Sequence, residues 1–226
     1  MDAFFSWDRF FENIPRLLPY LAVTLRIVVY ATLAGSSLGL VIAILRIKRQ
    51  SFLEPVFRLY ISFMRGTPML VQILIVFFGL PLFLQILGIE ANRWDKIWFL
   101  YVAFALNEAA FLSEIFRSAI LAVPTGQTEA ALSVGMTRWQ AYRRIVLPQA
   151  AKIGLPSFGS NFVGLFHGTS LAFMIGVVDI MGRAKTIGVS SKHALEAYLF
   201  VALVFILLSA LLRGGFHLLD RKLSHR

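Results

Sequence analysis

Long apolar runs alternate with short polar segments along most of this chain. The apolar runs cover approximately residues 19–45, 57–84, 97–123, 153–180 and 197–219. Each run is long enough for a helix to cross a bilayer, which takes about 18 mostly apolar residues or more. The pattern therefore predicts an all-α membrane protein whose five transmembrane helices, within 19–219, form a single domain over residues 1–226.

The N-terminal segment, residues 1–16, has a different pattern. Trp7, Phe10 and Phe11 alternate there with acidic and basic side chains. Such alternation favours a short amphipathic helix that lies at the membrane surface. The first residues also lack a basic n-region, so we do not expect a cleavable signal peptide.

Composition supports the membrane assignment and narrows the choice of partners. The chain is 58% hydrophobic and its mean hydropathy is +0.74, whereas soluble domains are ~45–50% apolar. The net charge of +10 is spread over short loops, which argues against a nucleic-acid partner because such a partner needs a basic face. Without cysteine, the chain forms no disulfide or thiolate metal site.

The charges of the loops predict an orientation in the membrane. The segments 46–49, 127–152 and 221–226 are strongly basic, whereas the N-terminus and the loops 85–96 and 181–196 carry both signs. Cytoplasmic loops carry an excess of lysine and arginine. Five spans with the N-terminus outside and the C-terminus in the cytoplasm satisfy this rule at every loop.

The loop at residues 127–150 carries the most specific motif. Its key positions are Glu129, Ala130, Ala131, Gly135, Ile145, Val146, Leu147 and Pro148. Thr128 is a suitable N-cap for a helix that starts at Glu129. Gly135 permits a sharp bend because it has no side chain. Residues 138–146 then predict a second short helix that Pro148 ends. Two short helices at an angle would form a compact knob that suits a cleft in another protein.

These positions resemble the coupling loop of the permeases of ABC transporters, in which Glu-Ala-Ala is followed at fixed offsets by Gly and by Ile-x-Leu-Pro. The resemblance implies that the knob docks on a separate ATP-binding subunit and follows its opening and closing. It assigns this role to Glu129, Ala130, Ala131, Gly135, Arg138, Ile145, Leu147 and Pro148. Arg138 could pair with acidic groups of that subunit, or contact solvent or lipid headgroups. The alternative is an ordinary loop that only joins two spans.

Three further stretches, 63–72, 114–129 and 147–162, resemble the branch of this family that takes up polar amino acids. The resemblance covers nearly the whole chain and implies a MetI-like type I importer fold. It also implies that the chain lies in the bacterial cytoplasmic membrane, in contact with membrane lipid. It implies ATP-binding subunits, a second permease subunit (identical or related) and an extracytoplasmic solute-binding protein as partners. Segments 170–173 and 179–182 resemble cystine permeases, so L-cystine is one candidate substrate. Another small polar solute is the alternative.

We expect the chain itself to be no enzyme and to bind no cofactor or metal. It has neither a Gly-x4-Gly-Lys-Ser/Thr phosphate loop nor a nucleophile elbow. Its four histidines are scattered rather than clustered at metal-ligand spacing. ATP would therefore be bound and hydrolysed by the partner subunit.

Polar side chains inside the apolar runs are candidates for a substrate pathway, because a charge in a bilayer is costly and usually faces a cavity, the bundle interior or a partner. Arg65 could bind a substrate carboxylate or tie helices together. Glu108 could bind an ammonium group or pair with Arg65 or Arg26. The full set of candidates is Arg65, Thr67, Gln72, Glu108, His167, Thr169 and Ser170.

Two of these positions depart from the family pattern. The branch usually has a small polar residue at the position of Glu108, and Lys-Asp at the position of His167-Gly168. The roles of the family's residues are therefore not carried over there. A proton- or ion-coupled secondary carrier that uses Glu108 and His167 as a relay is the rival from another class.

Two local spacings predict packing rather than transport. Glu114 and Arg117 are three residues apart, so they share one helix face and can form an ion pair. Gly35 and Gly39 have the small-xxx-small spacing that lets two membrane helices approach closely.

Overall fold

The computed structural model describes residues 5–48, 52–191 and 193–224, and within these ranges it consists of helices joined by short loops, without a strand. Arg49 and Arg226, which belong to two of the predicted basic segments, lie outside the described residues. The helices are α1 (Trp7–Ile47), α2 (Glu54–Gly66), α3 (Met69–Ile86), α4 (Lys96–Leu121), α5 (Thr125–Ser133), α6 (Arg138–Ala141), α7 (Leu147–Gly168), α8 (Ile180–Ser191) and α9 (Ala194–Ser224). A π turn, Tyr142–Val146, joins α6 to α7, and a 3₁₀ turn, Thr169–Ile175, follows α7.

The number of membrane spans agrees with the prediction. Within the described residues, four helices, α1, α3, α4 and α9, are long and apolar enough to cross a membrane. The helical stretch Arg138–Ile175 and the following Ile180–Ser191 pass the same test as a pair bent by 49° and supply a fifth span. An all-α membrane protein with about five spans is therefore confirmed.

Helix α1 differs from the prediction at its N-terminal end. It is one helix of 41 residues from Trp7 to Ile47, with Pro15 and Pro19 inside it. The described part of the 1–16 segment is thus continuous with the first span and is not a separate short helix. A helix of this length reaches about 60 Å, twice the ~30 Å hydrocarbon core, so its first turns extend beyond the span. Phe10 packs there against Phe200 of α9, with ring centroids 6.0 Å apart.

The second apolar run, residues 57–84, is not one continuous helix. Helix α2 ends at Gly66, and Thr67 and Pro68 are extended before α3 begins at Met69. Proline disfavours the helical conformation of the residue before it, which explains the extended Thr67. Helix α3 is long and apolar enough to span the membrane, whereas α2 is not.

Helices α1 and α4 form the closest pair in the fold, and two glycines make this approach possible. A Cβ at Gly35 would lie 2.5 Å from Cβ of Glu108, and one at Gly39 would lie 3.0 Å from the carbonyl oxygen of Ala109. The predicted glycine-mediated packing is therefore present. It places the α4 face that carries Glu108 directly against α1.

Substitution of Gly39 by valine is expected to destabilise the fold. The new side chain would meet Ala109 O and Ser113 N at 3.0 and 3.1 Å, and these backbone atoms can move only together with α4. Overpacking of this kind costs about 1–3 kcal/mol, which thermal unfolding in detergent would report as a lower midpoint. Gly79→Val is the control, since nothing lies within 4 Å of a Cβ at Gly79. Equal midpoints for the two variants would contradict the packing argument.

Candidate functional site

The first half of the predicted coupling loop, residues 127–150, is helix α5, which starts earlier than predicted. Pro124 is extended, with ψ of 134°, and α5 begins at Thr125. Thr128 and Glu129 therefore lie inside the helix, and the prediction that Thr128 caps a helix starting at Glu129 is wrong. Proline is compatible with a helix start because the first N–H groups of a helix have no intrahelical acceptor.

The bend predicted at Gly135 is observed. Gly135 has a φ of +85°, a left-handed conformation that favours glycine. The Gly135 N–H donates to Leu132 O at 3.0 Å and the Met136 N–H donates to Ala131 O at 3.1 Å. This pair of bonds is the Schellman motif, which satisfies the last carbonyls of a helix and turns the chain sharply.

The second half of the loop continues into the membrane helix instead of ending at Pro148. Thr137 and Gln140 form a capping box at the start of α6, which satisfies free N–H groups of the first turn. The chain then passes through the π turn Tyr142–Val146, and Pro148 lies in the first turn of α7. The predicted helix end at Pro148 is therefore wrong. Pro148 cannot donate to the carbonyl of residue 144, and the wider π turn accommodates its ring.

The loop presents a continuous exposed face. We call Glu129, Ala130, Val134, Arg138 and Trp139, all exposed, the knob face. The other predicted coupling residues differ in burial: Gly135, Leu147 and Pro148 are exposed, Ile145 is half-buried and Ala131 is buried. An exposed tryptophan and valine beside charged groups suit a protein partner, because interfaces combine aromatic anchors with a polar rim.

A small apolar core ties the loop to the membrane helices. Val146 of the π turn and Ala150 of α7 pack with Ala119 and Val123 at the end of α4. A displacement of the loop therefore acts on α4 and α7 together, and these two helices line the cavity described next.

A cavity of about 860 Å³ lies between α2, α4 and α7. Its polar lining comprises Arg65, Asn107, Glu108, Glu114, Ser118, Ser157, Ser160 and Asn161. The Glu108 side chain is 3% exposed, and its Oε2 accepts a hydrogen bond of 2.6 Å from Asn161 Nδ2. The Arg65 guanidinium lies over the Phe111 ring, 5.4 Å from the centroid.

The cavity thus brings together two of the predicted pathway residues, Arg65 and Glu108, without an ion pair between them. The predicted alternative, in which Glu108 pairs with Arg65 or Arg26, is wrong, since the carboxylate is held by Asn161. Arg65 and Glu108 are therefore two oppositely charged groups of the cavity that do not neutralise each other by direct contact, whereas the third charged group of the lining, Glu114, is paired with Arg46 and Arg117.

Thr67 and Gln72 do not line this cavity; they hold the break between α2 and α3. Gln72 is 2% exposed, and its Nε2 donates to Met64 O at 2.8 Å, to Thr67 O at 3.0 Å and to Thr67 Oγ1 at 2.9 Å. Its Oε1 accepts a bond of 2.8 Å from Asn107 Nδ2 on α4. This amide pair fixes the end of α2, and with it the position of Arg65.

Removing this amide is expected to loosen the α2–α3 break. In Gln72→Leu, the half-buried amide of Asn107 and the carbonyls of Met64 and Thr67 each lose one hydrogen-bond partner, and a buried polar group left unsatisfied costs about 1–3 kcal/mol. Thermal unfolding in detergent should show a clear loss of stability. Gln85→Leu is the matched control, because Gln85 is an exposed residue of the same helix. A loss of equal size in both variants would argue against the role of Gln72.

The remaining predicted pathway residues lie elsewhere. His167 Nε2 is 2.7 Å from Ser209 Oγ of α9, and His167 and Ser170 line a separate cavity between α7, α8 and α9. Thr169 Oγ1 donates to Phe166 O at 2.6 Å, and Ser170 Oγ donates to His167 O at 2.8 Å. The two hydroxyls therefore bond to their own helix. Glu108 and His167 line different cavities, so the geometry offers no direct relay between them.

The predicted neighbours Glu114 and Arg117 belong to a larger charge network. Arg117 Nη2 lies 2.8 Å from Glu114 Oε2. The other oxygen of Glu114 accepts a hydrogen bond from Arg46 Nη1, and Arg46 Nε donates to Glu54 Oε2 at 3.2 Å. The network joins the C-terminal ends of α1 and α4 to the start of α2. Sequence reasoning missed Arg46 and Glu54 as partners, because only the Glu114–Arg117 contact is local.

Membrane-spanning helices, a polar cavity between them and an exposed two-helix loop define an integral membrane component of a transport system. The chain belongs to the family of binding-protein-dependent transport system inner membrane components, whose sequence profile matches residues 35–225.

Named relatives align over nearly their full length. The L-cystine transport system permease protein TcyL of Bacillus subtilis is 38% identical over 224 residues, which are 99% of this chain and 94% of the relative. The probable amino-acid ABC transporter permease protein PatM of Vibrio harveyi is 39% identical over 202 residues, 89% of this chain and 88% of the relative.

Solved structures show the same fold. A crystal structure of an amino acid ABC transporter with histidines has a TM-score of 0.84 at 29% identity and covers 96% of this chain and 99% of its own. The inward-facing MetNI methionine ABC transporter has a TM-score of 0.76 at 18% identity, over 94% of this chain and 98% of its own. The predicted MetI-like fold is confirmed.

Proposed function

We propose that this chain is the permease subunit of an ATP-driven importer that carries a polar amino acid, with L-cystine as one candidate, across the bacterial cytoplasmic membrane. The observation that carries the substrate class is the cavity that holds Arg65 and Glu108 without an ion pair between them. An amino acid has a carboxylate and an ammonium group, and these complement a guanidinium and a carboxylate. Relatives named as permeases for cystine and for amino acids support the same class.

The position of Glu108 suits an ammonium ligand. Asn161 occupies its Oε2, which leaves Oε1 for the substrate. A carboxylate that is 3% exposed in a membrane helix is costly without a charged partner, and a cationic group in the cavity would supply one. Arg65, with its guanidinium over Phe111, lines the same cavity and would receive the carboxylate.

The coupling loop supports the assignment of ATP as the energy source. Its knob face would dock on an ATP-binding subunit, which binds and hydrolyses the nucleotide, while this chain takes no part in the hydrolysis. Closure of the ATP-binding subunits would move the loop, and the core around Val146 would pass the movement to α4 and α7. The cavity would then open alternately to the two sides of the membrane, with each state selected by the nucleotide.

The remaining parts of the importer follow from the family. A second permease subunit, identical or related, would complete the pathway, as the resemblance to the family implies. An extracytoplasmic binding protein would deliver substrate to the loops 85–96 and 181–196, with the N-terminus outside and the C-terminus in the cytoplasm.

Reconstitution tests this proposal. The chain would be purified with its co-purifying subunits, placed in liposomes and assayed for ATP hydrolysis and for uptake of labelled L-cystine, L-arginine, L-glutamate and a sugar. We expect uptake of an amino acid that requires ATP and is accompanied by stimulated hydrolysis. ATP-dependent uptake of the sugar alone would overturn the substrate class. Uptake driven by a proton gradient without ATP would favour the secondary-carrier alternative and overturn the whole proposal.

A further inference from the structure

We propose that the chain binds an anionic membrane phospholipid at the C-terminal ends of α1 and α4, with the lipid phosphate in a basic cavity and an acyl chain in a neighbouring apolar pocket. The substrate cavity is not involved, so this inference does not depend on which solute is carried.

The basic cavity measures about 510 Å³ and is lined by Arg46, Ile47, Glu54, Pro55, Arg58, Arg117 and Leu121. Three guanidinium groups thus face one carboxylate. The Arg46 side chain, 8% exposed, is committed to Glu54 and Glu114. The other two arginines are more accessible, with side chains 71% exposed for Arg58 and 32% for Arg117.

Arg58 and Arg117 retain donors for an anion. Arg58 approaches Glu54 through Nε, at 3.5 Å, which leaves its two terminal nitrogens. Arg117 donates to Glu114 through Nε and Nη2, which leaves Nη1. Guanidinium groups bind phosphate oxygens with strong, charge-assisted hydrogen bonds. Two such groups at the mouth of one cavity therefore form a phosphate site.

A second cavity indicates that the phosphate belongs to a lipid. A pocket of about 230 Å³ is lined by the apolar residues Leu40, Phe116, Ile120, Leu147, Leu155 and Phe158, together with alanines and a glycine. Leu40 of this pocket and Ile47 of the basic cavity are seven residues apart, hence on the same face of α1 and about 10 Å apart along it. On α4, Ile120 of the pocket and Leu121 of the basic cavity are consecutive, so the two cavities lie there at the same level, about 100° apart around the helix axis.

The location also favours a lipid. The basic cavity lies where two membrane-spanning helices end, and on α1 the apolar pocket lies further towards the centre of the helix. A phospholipid has the same order, with a phosphate at the membrane surface and acyl chains below it. Basic pockets between membrane helices are known to bind anionic headgroups.

The proposed headgroup site is tested by measuring lipid binding to the purified full chain in a neutral detergent. Thermal unfolding and native mass spectrometry would be recorded with added phosphatidylglycerol, phosphatidylcholine or inorganic phosphate. We expect phosphatidylglycerol to raise the midpoint and to remain bound, and the two other probes to do neither. Arg58→Gln should weaken phosphatidylglycerol binding about fivefold, since an arginine near an anionic surface contributes about that factor.

Arg16→Gln is the matched control for Arg58→Gln. Arg16 is also exposed, at 58%, and also pairs with a glutamate four residues before it, at 3.8 Å, but it lies near the opposite end of α1. An equal effect of the two substitutions, or equal binding of phosphatidylcholine, would overturn the proposal of a headgroup site.

The proposed acyl-chain site is tested by a substitution that fills the apolar pocket. Ala151 lines this pocket, so Ala151→Phe should weaken phosphatidylglycerol binding, whereas Ala34→Phe on the exposed face of α1 should not. Stabilisation by inorganic phosphate as strong as that by the lipid, or an Ala151→Phe variant that binds normally, would show a soluble-anion site instead. Loss of the bound lipid when two permease subunits associate would show that the pocket is an interface between copies of the chain.

Discussion

Replacing Glu129 by lysine is expected to abolish ATP-driven uptake while the chain still folds and inserts. Glu129 is an exposed residue of α5 on the knob face, so the substitution disturbs no internal contact. It reverses a charge where the ATP-binding subunit would dock, and a like-charge contact at an interface costs several kcal/mol. Uptake in reconstituted liposomes should fall to background. Thermal unfolding of the purified chain should not change.

A second charge reversal separates docking from a general effect of charge. Asp220 lies near the C-terminal end of α9, outside the loop, and Asp220→Lys makes the same change in charge. This variant should retain uptake. Normal ATP-dependent uptake by Glu129→Lys, with the ATP-binding subunit still co-purifying, would remove the coupling role from this loop.

Replacing Glu108 by glutamine should strongly reduce uptake at low substrate concentration. Glutamine has nearly the same shape and keeps an oxygen that accepts from Asn161, so the 2.6 Å contact can persist. It cannot offer a negative charge to an ammonium group. Loss of one partner of a buried charge pair costs about 2 kcal/mol or more, on the order of 30-fold in apparent affinity. Uptake measured over a range of substrate concentrations would report this as a raised KM.

Ser157→Ala is the control for Glu108→Gln, because Ser157 lines the same cavity but carries no charge. It should change the KM little. An unchanged KM in Glu108→Gln would assign the carboxylate a purely structural role beside Asn161 and Gly35.

The spans could be predicted from the sequence because a helix that crosses a bilayer needs a long apolar run of residues. The break at Thr67-Pro68 could also be predicted from the sequence, since proline disfavours the helical conformation of the residue before it. The continuity of α1 could not be predicted from the sequence. The aromatic and charged pattern of residues 1–16 predicted a separate short helix, yet the packing of the first turns on α9, seen in the Phe10–Phe200 contact, favours a continuous helix that contains Pro15 and Pro19.

The candidate site was predictable only where its contacts are local. Glu114 and Arg117 are one helical turn apart, so their pairing follows from spacing. Arg46 reaches Glu114 across 68 residues, and Asn161 reaches Glu108 across 53, so both partners depend on how the helices pack. Gln72 was recognised as polar within an apolar run. Its task, holding Met64 and Thr67, could not be read from its type.

The π turn at Tyr142–Val146 determines how far the predicted coupling loop is rotated about the axis of α7. Such a turn holds one residue more than the corresponding α-helical segment, and one residue corresponds to about 100° of rotation around a helix axis. The direction in which Trp139 and the rest of the knob face point is therefore fixed by this single residue. A change of length here would act as a rotation rather than an extension. It would turn the loop away from its partner although every residue of the motif remained in place.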